Sequence, residues 1–156
     1  MTPPPDGSKA IAFLIKKGDL EKVEANLEGA LRLFEQCSAH LRSAALIIEG
    51  DPAGSFQLSY DAARKSLTAL LFIQGLRHTS KGGHIAIEQA LTSQFPEELA
   101  FTEIRWMRPL RNQTEYPTAD RPIASEQDAT QGLAAAIQIL ERARQLSNTL
   151  KVLELD

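Results

Sequence analysis

Between Leu20 and Ile48 the apolar residues Leu20, Val23, Leu27, Leu31, Phe34, Cys37, Leu41, Ala44 and Ile48 return every three or four positions. That spacing lines one face of an α-helix and no face of a β-strand. The stripe ends at Gly50-Asp51-Pro52 and predicts a rod on the order of 45 Å long at ~1.5 Å per residue. A rod of that length leaves its stripe in water unless partners of similar length cover it.

Such partners follow in the sequence. Phe56, Tyr60, Ala63, Leu67, Leu70 and Ile73 predict a third helix over Ala53 to Gln74, widened by Leu71 and Phe72 and ended by Gly75. The last helix is capped by Ser125, with Asp128 three residues on, and carries Ala129, Leu133, Ile137, Leu140, Ala143, Leu146, Leu150 and Leu153. Shorter helices are predicted over Lys9 to Lys17, capped by Ser8 and stopped by Gly18, and over His84 to Phe95. Asp19 is the expected cap of the long second helix. A further segment, Glu97 to Tyr116, contains Pro109, which removes a backbone hydrogen bond and predicts a kink or break there. No segment reads as a strand. The expected fold is all-α, an antiparallel bundle of four to five helices with short extra ones. Residues 1–7, with three prolines, read as a flexible tail ahead of a single domain over 8–156.

Composition closes off several function classes. The formal net charge of −3 gives no global signature for nucleic acid, so any such contact needs a local basic patch. The single cysteine, Cys37, excludes an intramolecular disulfide and a multi-thiolate metal site. A reducing cytoplasm is the expected compartment. Met1 to Gly7 does not read as a signal peptide, and no run approaches the roughly 20 apolar residues of a membrane span.

The densest chemistry lies in Ile104-Arg105-Trp106-Met107-Arg108-Pro109-Leu110-Arg111-Asn112-Gln113-Thr114-Glu115-Tyr116-Pro117. On a helix, Ile104, Met107, Leu110 and Thr114 share one side. Arg105, Arg108 and Asn112 share another, with Arg111 beside them and Tyr116 one turn from Asn112. Guanidinium forks match phosphate oxygens, so this is the patch an acidic protein would use for RNA. An arginine stripe also serves as a salt-bridged helix face. Arg111 can pair with Glu115, and Glu97, Glu98 and Glu103 lie close in sequence. A second candidate is the loop with Arg77, Lys81, Gly82-Gly83 and His84, where a helix N-terminus can receive an anion. His40 and Cys37 read as structural, and no His/Cys/Asp/Glu spacing reads as a metal site.

The chain resembles the HEPN family of small helical proteins, found mostly in prokaryotes, over about residues 20–150. The matching pieces are Ser59-Tyr60-Asp61-Ala62-Ala63-Arg64-Lys65-Ser66-Leu67, Gly75-Leu76-Arg77-His78-Thr79, Gly82-Gly83-His84 and above all Leu110-Arg111-Asn112-Gln113-Thr114-Glu115-Tyr116-Pro117. Many members are metal-independent endoribonucleases of toxin–antitoxin or phage-defence systems. They need no cofactor and form homodimers that join two arginine motifs in one cleft. The resemblance implies that Arg111 stabilises charge at phosphorus, Asn112 orients the motif, and Arg108 holds the RNA backbone. It further implies a cognate antitoxin or a nucleotidyltransferase as partner. The sequence departs from the pattern at one position: where the family has histidine, this chain has Tyr116. A phenol, with an ordinary pKa near ~10, is a poor general base at neutral pH. Three functions therefore stand: an RNA-cleaving enzyme centred on Arg111 and Tyr116, a non-catalytic module binding RNA, nucleotide or a protein, and a helical adaptor with no nucleic-acid role. The adaptor requires Arg105, Arg108 and Arg111 all tied to carboxylates within the fold.

Overall fold

A computed structural model describes residues 7–155. The elements are α1 (Gly7–Lys17), β1 (Leu20–Lys22), α2 (Leu27–Ile47), α3 (Pro52–Gln74), β2 (Leu76–His78), α4 (Gly83–Gln94), α5 (Leu99–Thr102), α6 (Ile104–Glu115) and α7 (Glu126–Ser147). The expected tail of residues 1–7 falls, except for Gly7, outside the described residues.

Helix α3 is the centre of the molecule, buried along almost its whole length between α2 and α7. Ser55 Oγ donates to the Ala44 carbonyl at 2.8 Å, and Cys37 Sγ lies 3.2 Å from the Ala62 carbonyl, so α2 and α3 run antiparallel. Helix α7 packs where Gly132 meets Phe56, and its outgoing tail meets the end of α3, the Leu153 amide donating to the Gln74 carbonyl at 3.0 Å. α7 thus runs in the direction of α3 and against α2, because α4 to α6 carry the chain back to the start of the bundle. The core joins Phe34, Phe56, Leu67, Leu70, Met107 and Ile139, all essentially inaccessible. Among the described residues no helix is long and apolar enough to cross a membrane.

Local signals explain most helix ends. Asp51 accepts from the Gly54 amide with Pro52 opening α3, and Ser125 and Asp128 form a reciprocal capping box on α7. Gly75 closes α3 in the left-handed region at φ 74°, and a Cβ there would also stand 2.9 Å from the Val23 carbonyl.

Several expectations are corrected. There is a sheet: Leu20–Lys22 pairs antiparallel with Leu76–His78, so the stripe's first residues belong to a strand and the loop after Gly75 begins as one. The amides of Val23 and Asn26 donate to the carbonyls of Gly75 and Phe72, at 2.9 Å each, covering the exposed end of α3. α2 therefore starts at Leu27 under an Asn26 cap, and Asp19 instead bridges to Lys17 at 2.8 Å. Leu27 and Leu31 are 62% and 64% exposed; Ala30 faces α3 in their place. Ile137 likewise leaves the α7 stripe for solvent. Ser8 lies inside α1, and α7 ends at Ser147, before Leu150 and Leu153. Helix α6 runs unbroken through Pro109, and the break falls at Glu103, where α5 gives way to α6.

Candidate functional site

Helix α6 leans on α3 with Ile104, Met107 and Thr114 inward. This turns its arginines toward α3 and α4. Arg105 Nε donates to Glu88 Oε1 at 3.0 Å, and Arg108 donates to the other oxygen of the same carboxylate. Glu88, on α4, is only 7% exposed. A carboxylate that deep needs counter-charge, and the two arginines provide it while tying α4 to α6. Arg105 still keeps 55% of its side chain exposed, and Arg108 27%.

Arg111 stands differently. It pairs with Glu115 one turn on, an arrangement a helix surface holds weakly. Its guanidinium carbon lies 5.7 Å from the centroid of the Tyr60 ring, a cation–π placement. Asn112 Oδ1 is 3.5 Å from Arg111 Nη1, and Asn112 is otherwise exposed. Tyr116 caps α6 through its backbone, its amide donating to the Asn112 carbonyl at 3.0 Å, while its side chain is 70% exposed.

The aromatic hydroxyl beside Arg111 belongs to Tyr60, only 2% exposed, whose oxygen is 3.0 Å from His84 Nδ1. Burial pushes the Tyr60 phenol up, although Arg108, Arg64 and Arg111 all pull against it. His84 is held down to about 4 by burial first and then by the positive charge of Arg64, Arg111 and His78. Below it on α3, Asp61 accepts from Arg64 and, at 2.8 Å, from Lys65. Burial alone would raise Asp61; hydrogen bonds from Lys65 and Arg64 outweigh it and hold the carboxyl below its usual value. Arg64 Nε and His78 Nδ1 are buried without a hydrogen-bond partner. An open hollow of ≈ 440 Å³ lies along this edge, lined by Gln57, Tyr60 and Asp61 of α3, by Asp51 at its start, and by Arg111.

Of the residues singled out in the sequence, the structure gathers Arg108, Arg111 and His84 around Tyr60. Arg77 instead pairs with Glu21 across the two-stranded sheet at 2.7 Å, and Lys81 donates to the Lys17 carbonyl at 2.6 Å. Tyr60, Asp61, Arg64 and Glu88 went unread as site residues. The signals were present: a tyrosine on a core stripe needs a hydroxyl partner, and Glu88 sits among Ala86, Ile87, Ala90 and Leu91 where a carboxylate has no place without cations. Among the described residues no group of three His, Cys, Asp or Glu side chains is placed to hold a metal ion.

Fold and site together define a class: an all-α domain whose arginine-bearing helix crosses a buried tyrosine on the central helix. Residues 30–146, more than half of the 156-residue chain, match the HEPN domain, and the chain belongs to the HEPN family. No curated protein and no solved structure matches it significantly.

Proposed function

We propose that this HEPN domain binds RNA through its phosphate backbone, at the cleft where Arg111 crosses Tyr60, without cleaving it. The observation that carries the reading is the difference between the arginines. Arg105 and Arg108 share one buried carboxylate from another helix, whereas the carboxylate on Arg111 is Glu115, a partly exposed neighbour one turn along its own helix. A surface pair four residues apart is worth about 0.3–0.5 kcal/mol, and a phosphate that takes both prongs of a guanidinium displaces it readily. Arg64 and Arg108 behind Tyr60 add to the positive field. Tyr116 stands in the motif's histidine position, where a phenol is a poor general base at neutral pH, and this favours binding over cleavage. A homodimer that sets two Arg111 clefts together belongs to the same reading.

A second reading, a helical adaptor that binds a protein and no nucleic acid, is favoured by one observation. Arg105, Arg108 and Arg111 are all paired with carboxylates inside the chain. Incubating the protein and Arg111→Ala with total RNA and tRNA in EDTA separates the readings. RNA retained intact in a gel shift that Arg111→Ala weakens supports the binding module. Cleavage that persists in EDTA and disappears in Arg111→Ala makes the protein a metal-independent ribonuclease. Neither retention nor cleavage leaves the adaptor.

A further inference from the structure

His84 and Tyr60 form a pair that simple backbone binding by Arg111 does not use. The imidazole sits in the first turn of α4, after Gly82, which offers no side-chain cap. The groups facing it come from three elements: Tyr60, Asp61 and Arg64 on α3, His78 on β2, and Arg111 on α6. On its own helix, Glu88 one turn further on is taken up by Arg105 and Arg108. Asp61, the one anion that favours a charged His84, is committed to Arg64 and Lys65. Arg111 over the Tyr60 ring and His84 on the Tyr60 hydroxyl thus share one buried tyrosine, with Arg64 and Arg111 the arginines that face the imidazole.

We propose that His84 is the second ligand of the RNA phosphate held by Arg111, and that it engages the phosphate as the imidazolium, so that RNA binding takes up a proton. The proposal rests on the RNA-binding reading above and deepens it. With Nδ1 bonded to Tyr60 at 3.0 Å, Nε2 is the nitrogen left for a ligand. A hydroxyl both donates and accepts, so Tyr60 can donate to Nδ1 of the neutral ring and accept from the charged one. The pair keeps its bond in both protonation states, and the ring keeps its orientation.

The direction of the proton follows from charge. In the free domain the histidine stays neutral at pH 7, held near 4 by burial and by Arg64, Arg111 and His78. A phosphate docked on Arg111 offsets one of these charges and adds a counter-ion for the imidazolium, which raises the histidine's pKa in the complex. RNA affinity then rises as pH falls through the value in the complex, by at most about 10-fold per pH unit, and levels off below about 4. Above the complex's value there is no dependence from this group.

The test uses the full chain and a 5′-hydroxyl oligouridylate, whose phosphodiesters and bases do not titrate between pH 5.5 and 8, with affinity read by fluorescence anisotropy in EDTA at fixed ionic strength. The expected result is tighter binding by tenfold or more on going from pH 8 to 5.5, a slope that His84→Gln flattens. Calorimetry of the unaltered protein in buffers of different ionisation enthalpy gives a second readout that needs no variant: net uptake of protons on binding near pH 6. No slope in the unaltered protein, an unchanged slope in folded His84→Gln, or no proton uptake overturns the proposal. Arg111→Ala is run beside these, because binding that survives it at every pH overturns the cleft reading itself, whatever the slope.

Discussion

Neutralising Glu88 should move stability and RNA affinity in opposite directions. Its carboxylate is 7% exposed and bridges Arg105 at 3.0 Å and Arg108 in closer contact. Glu88→Gln keeps the shape and removes the charge. Breaking a fully buried ion pair costs about 3–5 kcal/mol, and an exposed one about 0–1. Arg105 is 55% exposed at its side chain and loses little; Arg108, at 27%, loses a counter-ion in half-buried surroundings. An intermediate cost of ~2 kcal/mol follows, a fall in Tm of about 4–8 °C for a chain of this size. The same substitution releases two guanidinium groups beside Arg111. On single-stranded RNA each new phosphate contact steepens the salt dependence of log K by about 0.7, so up to about 1.4 for both. Urea unfolding followed by circular dichroism gives the first quantity, and anisotropy across a KCl series the second. Stability unchanged to within about 0.5 kcal/mol would refute the argument that Glu88 ties α4 to α6. Weaker RNA binding by a folded Glu88→Gln would refute the placing of Arg105 and Arg108 behind the cleft.

Acid should weaken the fold in two stages. His40, His78 and His84 all sit below their ordinary value of 6.5, chiefly through burial, so below that pH the unfolded chain binds more protons and stability falls. Asp61, depressed in the fold, adds its loss only as pH drops below about its unfolded value of 3.8; thermal melts at pH 7.5, 4.5 and 2.5 should show both stages, and His84→Gln should blunt the first. Gly132→Ala should destabilise by about 1–3 kcal/mol although alanine is the better helix former, because its Cβ would stand 2.9 Å from two atoms of the buried Phe56 ring; equal or higher stability in urea would contradict that. Gel filtration with light scattering should give about twice 17.1 kDa, and a clean monomer at micromolar concentration would remove the joined-cleft arrangement.

The long helices were legible because their information is local. The Ser125 and Asp128 box and the Gly75 stop act within one turn of the chain and are found where the sequence placed them, and the break expected at Gly50-Asp51-Pro52 turns out to hold the Asp51 cap of α3 as well. The start of α2 was not local. Leu20 and Val23 continue the stripe at helical spacing, and only the pairing of Leu20–Lys22 with Leu76–His78, more than fifty residues away, makes the segment a strand. Ala30 displacing Leu31 from the core is the same lesson on a smaller scale, since one residue's rotation decides which side chain meets α3.

The site divides along the same line. Arg111 and His84 were visible as residue types in suggestive settings, but the tyrosine between them was read only as core. The carboxylates near the arginine helix in sequence were Glu97, Glu98 and Glu103. In the fold Glu98 holds Arg142, Glu103 accepts from the Trp106 indole at 2.6 Å, and Glu88 from α4 takes the arginines. Arg111 does pair with Glu115, as its spacing on one helix allows, but which carboxylate reaches Arg105 and Arg108 is fixed by the packing of α4 on α6, and that packing is not written in spacing.

In the proposed function Arg111 is a specific phosphate ligand rather than one more positive charge. The most direct measurement compares RNA affinity in EDTA for the unaltered protein, Arg111→Ala and Arg32→Ala, since Arg32 is an exposed arginine that likewise pairs with a glutamate four residues away, Glu28, at 2.8 Å. The expected result is a loss of about tenfold or more for Arg111→Ala, matching a charge-assisted contact of about 1.5–3 kcal/mol, and little change for Arg32→Ala, with the RNA recovered intact. Equal losses in both variants, or none in either, would contradict it.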